Sequence, residues 1–135
     1  MRLLALSSAI ILAGQAGALA DQAAARASGD WRLSEVGGRV ACTLTLTLQS
    51  SLGGFQLRAP LACRRAFPSL RTVAGWVLDD RGGIILTDTN AQPIVTFASP
   101  GKGPYEAKAP DGRTWRLDPI RTDIEAPMAT APPFG

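Results

Sequence analysis

The chain of 135 residues contains no histidine and only two cysteines. The first absence excludes a Ser-His-Asp or Cys-His catalytic site and any zinc site built on imidazole. Charge of one sign is not massed: 14 Lys and Arg against 11 Asp and Glu leave a net charge of +3. Basic residues such as Arg58, Arg64, Arg71, Lys102 and Arg113 are spread along the chain, and the aromatics do not interleave with them. Nucleic-acid binding needs a concentrated basic face, so no nucleic-acid partner is expected. No carboxylate pair is singled out for glycoside chemistry. Asp79, Asp80 and Asp88 lack the Asp-x-Asp-x-Asp-Gly spacing of a calcium loop and read as turn residues. Gly37-Gly38, Gly53-Gly54 and Gly82-Gly83 read as hairpin glycines and not as phosphate loops. Neither a cofactor nor an enzymatic activity is expected; a binding protein is.

Long apolar runs are also scarce. The longest opens the chain: Met1-Arg2 is a short basic start, Leu3 to Ala13 an apolar core and Ala18-Leu19-Ala20 an A-x-A cleavage site. The core is too short for a membrane span. Residues 1-20 therefore read as a signal peptide, with cleavage after Ala20 and a mature chain that begins at Asp21. Leu12-Ala13-Gly14-Gln15 resembles a lipoprotein box with Gln15 in place of the lipidated cysteine. With no thiol to acylate, no membrane anchor is expected.

The chain is organised around Val40 to Leu48, where apolar residues alternate with Thr43, Thr45 and Thr47. This is the period-two pattern of a strand with one buried face. Val40, Cys42, Leu44, Leu46 and Leu48 are expected on that face. The next run, Phe55 to Cys63, carries Phe55, Leu57, Ala59, Leu61 and Cys63 at one parity. Pairing Cys42 opposite Cys63 sets Leu44 against Leu61, Leu46 against Ala59 and Leu48 against Leu57. Cysteine pairing and hydrophobic pattern then agree on register. Two buried free thiols are the other reading, and export favours the Cys42–Cys63 disulfide.

Further strands are predicted at Trp31–Leu33, Gly75–Leu78, Ile84–Asp88, Ile94–Ala98, Tyr105–Ala109 and Thr114–Leu117, separated by Gly, Pro, Asp and Asn turns. Arg64 to Leu70 is expected to make a short helical or irregular excursion limited by Pro68. Trp31, Trp76 and Trp115 fall at inward parity and read as core. Eight short strands without long helices argue an all-β sandwich or barrel, and consecutive hairpins favour an up-and-down order. The Ala-rich stretch before Ser28 has no apolar stripe and reads as a helical turn or a flexible segment. Residues 120-135 read as a disordered Pro-rich tail.

The motifs Ser28-Gly29-Asp30-Trp31-Arg32-Leu33, Cys42-Thr43-Leu44-Thr45-Leu46, Cys63, Gly75-Trp76, Gly83-Ile84-Ile85-Leu86, Phe97, Tyr105 and Gly112-Arg113-Thr114-Trp115-Arg116-Leu117 together resemble the bacterial serralysin-type (alkaline) metalloprotease inhibitors. The resemblance runs from Ser28 to Leu117. It implies an all-β fold: a small eight-stranded antiparallel up-and-down β-barrel with one disulfide, over residues 28-119, in the periplasm. The implied partner is a secreted zinc endopeptidase. The implied site is an N-terminal arm at 21-27, of which Asp21, Gln22, Ala23, Ala24 and Ala25 enter the protease cleft while the barrel rim occludes it. The amine of Asp21 would approach the partner's zinc in trans. Free of its partner, the protein is expected to be a monomer. Two rival readings stand beside this one: a lipocalin-like carrier of a small ligand, and a structural envelope barrel with no protease partner.

Overall fold

A computed structural model describes residues 22–120. The predicted signal peptide, Asp21 and the tail from residue 121 onward lie outside the described residues. A short helix, α1 (residues 22–27), precedes eight strands. These are β1 (Gly29–Glu35), β2 (Ala41–Ser51), β3 (Gly54–Arg58), β4 (Gly75–Leu78), β5 (Ile84–Thr87), β6 (Pro93–Phe97), β7 (Tyr105–Lys108) and β8 (Thr114–Pro119). Between β3 and β4 lie helix α2 (Leu61–Ala66) and a 3-10 turn (Pro68–Thr72).

All pairings are antiparallel, and the sheet order is β6-β5-β4-β3-β2-β1-β8-β7. Every consecutive pair of strands but one is hydrogen-bonded side by side. The exception is the seam between β6 and β7, which touch without a ladder. The result is a nearly closed up-and-down barrel. Alternation does the sorting: Trp31 and Leu33, Leu44 and Leu46, Val95 and Phe97, Trp115 and Leu117 all point inward and are buried. Trp76, Ile84 and Leu86 complete an interior filled by side chains rather than left as a ligand chamber.

Turn residues act as the sequence predicts. Asp79 Oδ1 accepts hydrogen bonds from the N–H groups of Arg81 and Gly83, at 2.8 and 2.7 Å. Asp88 Oδ1 does the same for Asn90 and Gln92, at 2.8 and 2.9 Å. These carboxylates close hairpins. Among the described residues no group of three or more His, Cys, Asp or Glu is placed to hold a metal ion.

The disulfide Cys42–Cys63 is present, with 5.4 Å between the Cα atoms, but the predicted register around it is not. The third strand ends at Arg58, and Cys63 sits in α2. Pro60 stops the ladder, because it has no N–H to donate and its φ of −58° opens a helix. Leu61, expected to face Leu44, is therefore 63 % exposed.

Near the turn, Ser50 pairs with Phe55 and Ser51 with Gly54, in line with the predicted register. A bulge between Leu46 and Ser50 then slips the pairing by two residues, so that Leu46 meets Leu57 and Thr45 meets Arg58. An even slip keeps Leu44 and Leu46 inside, while Leu48, at the bulge, turns outward. Val40 precedes β2 and is also exposed.

Candidate functional site

One end of the barrel is covered by α1. Three alanines in succession favour a helix locally. The Ser28 N–H donates to the Ala24 carbonyl at 2.9 Å and its hydroxyl to the Ala25 carbonyl at 2.7 Å, which ends the helix. Gly29, at φ 116°, then swings the chain into β1. Ala24 is the helix residue that enters the core, at 4 % exposure. The helix is held further by Trp31, whose indole N–H donates to the Ala27 carbonyl at 2.7 Å. Trp31 stands edge-on to Tyr105, ring centroids 5.6 Å apart, and the Tyr105 hydroxyl donates to the Gly82 carbonyl at 3.2 Å. A relay of contacts thus runs from α1 through β1 and β7 to the β4–β5 turn.

Two grooves flank this helix. One, of about 420 Å³, is bounded by Arg26, Asp30, Trp31, Pro119 and Ile120. The other, of about 410 Å³, runs between Ala23 and Arg26 on one side and Leu78, Pro104 and Tyr105 on the other. Arg26 borders both. Among the described residues, no pair lining the grooves makes a nucleophile with its base.

Of the predicted arm, Gln22, Ala23 and Ala25 lie exposed on α1, and Ala24 is buried beneath them. Asp21 lies outside the described residues. The two cysteines line neither groove: Cys42 pairs with Leu33 on β1, and Cys63 lies in α2. Arg26, Asp30 and Tyr105 escaped the sequence reading as groove residues. Each is one polar residue in an ordinary context, and only the meeting of α1, β1, β7 and β8 brings them together.

The opposite end is closed by the excursion after β3. Phe67, Leu70 and Val73 are buried there, with Phe67 edge-on to Trp115 at 5.3 Å. Arg113 bridges to both carboxylate oxygens of Glu35, at 3.1 and 2.9 Å, which ties the β7–β8 turn to β1. That hydrogen bond, with the charges of Glu35 and Asp111, raises the Arg113 guanidinium further above its ordinary value.

Comparison with known proteins gives two results. The family model described as "Protease inhibitor Inh" matches residues 21–118. The crystal structure of a psychrophilic marine protease MP inhibitor aligns with a TM-score of 0.58 at 21 % identity, covering 73 % of this chain and 99 % of that one. At that identity the likeness is one of fold. No curated protein matches the chain.

Proposed function

Since the chain belongs to the Inh family of protease inhibitors, and so is an inhibitor with a protease for its partner and not an enzyme, we propose that its target is a secreted zinc endopeptidase of the serralysin type. The two meet in the periplasm, which the chain reaches through a cleaved signal peptide. The observation that carries this reading is the family match, which begins at residue 21, the residue that cleavage after Ala20 would leave first. The filled barrel interior speaks against a small-ligand carrier.

In the proposed mechanism Asp21 and Gln22 enter the cleft, and α1, anchored by Ala24, blocks it together with the barrel rim. A protease zinc keeps one position open for water or substrate, and an incoming amine or carboxylate takes it. Asp21 carries both groups when it is the first residue. It directly precedes a helix that Ala24 and Trp31 hold against the barrel. Such a pedestal reduces the entropy lost on binding. The zinc belongs to the partner; this chain supplies the ligand and the support.

Three forms test the proposal against one serralysin-type enzyme: the chain starting at Asp21, the same chain with residues added ahead of Asp21, and one lacking Asp21 and Gln22. All three keep Ala24 and hence the core. The altered forms are expected to inhibit at least roughly tenfold more weakly, about 1.4 kcal/mol. An amine ligates only when unprotonated, so the amine's share of inhibition falls as pH drops below about 8, and the Asp21 carboxylate blunts the loss. Equal inhibition constants for all three forms would leave rim occlusion alone. No inhibition by any form would favour an envelope module without a protease partner.

A further inference from the structure

Between Glu35 and Asp79 the chain holds Arg39, Arg58, Arg64, Arg65 and Arg71 and not one Asp or Glu. Spread out in sequence, these residues are brought together by the fold at the α2 end. Arg39 stands just ahead of Cys42, which is bonded to Cys63 in α2. Arg64 and Arg65 follow Cys63 directly. Arg58 closes β3 immediately before α2, and Arg71 lies in the 3-10 turn after it. Arg64 bridges the two, its guanidinium donating to the carbonyls of Ala59 at 3.2 Å and Leu70 at 3.4 Å.

Arg39, Arg58, Arg65 and Arg71 are exposed, and among the described residues none of the five arginines forms an ion pair. On neighbouring turns one carboxylate is paired with an arginine, and two keep their charge while accepting backbone N–H groups. Glu35 is held by Arg113, Asp88 caps its own turn, and Asp111 accepts from the Arg113 N–H. Leu61, in the first turn of α2, is 63 % exposed in the midst of this charge, and Val40 beside β2 is exposed as well.

We propose that this end of the barrel docks on the surface of an anionic phospholipid membrane. Guanidinium groups suit lipid phosphates because they donate two parallel hydrogen bonds and shed water readily. An apolar side chain ringed by basic ones is the pattern of an interfacial contact, with Leu61 entering the headgroup boundary. Among the described residues no exposed aromatic is present at this end on which a nucleic-acid base would stack.

Sedimentation of the mature chain with vesicles tests it. Binding is expected to vesicles containing phosphatidylglycerol and not to phosphatidylcholine alone, and to decline with salt. Each arginine near such a surface is worth about fivefold in partition. The triple variant R58A/R65A/R71A should therefore lose roughly a hundredfold, R58K/R65K/R71K should retain most binding, and Leu61→Asp should weaken it at unchanged thermal midpoint. All are surface positions, and Arg64 is left in place because it supports the fold. Equal binding by parent and triple alanine variant would overturn the proposal, as would no binding to anionic vesicles. Release by millimolar inorganic phosphate at constant ionic strength would overturn it too, in favour of a discrete anion site. Retention on an acidic protein without vesicle binding would overturn it by assigning the patch to a protein partner.

Discussion

The two ends of this barrel are closed in different ways. At the α2 end a contiguous stretch of chain folds over the opening, fills it with Phe67 and Leu70, and is bonded to β2 through Cys42–Cys63. At the α1 end the cover is a single short helix. It places one small side chain, Ala24, in the core and is tied by one indole hydrogen bond. The difference shows where stability is concentrated and where it is spared. Large buried aromatics and a covalent link make the α2 end part of the global fold. A methyl group and a hydrogen bond leave α1 near the low end of local stability, where binding elements are commonly found.

This contrast can be broken by mutation. The largest effect is expected from Phe67→Ala, which removes a ring at 2 % exposure packed edge-on to Trp115. A loss of about 3–5 kcal/mol should appear in urea unfolding. A loss under about 1 kcal/mol would mean that the excursion is a lid and not part of the core.

The disulfide comes next. Its partners are 21 residues apart, and replacing both with serine should cost about 3 kcal/mol in the chain-entropy model. The denatured, unreduced parent should show no reactive thiol, and protease inhibition should persist in the variant below its unfolding transition. Loss of inhibition with the fold intact would make the α2 end part of the inhibitory surface.

The smallest effect sharpens the comparison most. Trp31→Phe keeps the inward ring and removes the hydrogen bond to Ala27, at a cost of about 1 kcal/mol. Amide hydrogen exchange should speed up in α1 and stay unchanged in α2. Equal acceleration at both ends would show that α1 opens only with the whole barrel.

The resemblance to the metalloprotease inhibitors was legible in the spacing of Trp31, Cys42, Cys63, Trp76 and Trp115. The family match over residues 21–118 agrees with it. Less of the candidate site was legible. An alanine run without an apolar stripe gives no sign of which residue will be buried, and Ala24 became the anchor only because the barrel mouth was there to receive it.

Period-two alternation located the eight strands, the core tryptophans and most of the inward faces, with Val40, Leu48 and Leu61 the exceptions, because the pleat assigns parity wherever one face must leave water. Turn residues determined the hairpins, because Asp79, Asp88 and Asp111 cap backbone groups only a few residues away. Those are local rules, and the sequence alone carried them. Register around Cys42–Cys63 was not local. A pattern of period two cannot distinguish registers that differ by an even slip. The bulge after Leu46 and the helix begun at Pro60 chose between them. The same holds for the arginine cluster at the α2 end and for the grooves beside α1. Their members are distant in sequence, and only closure of the barrel brings them together.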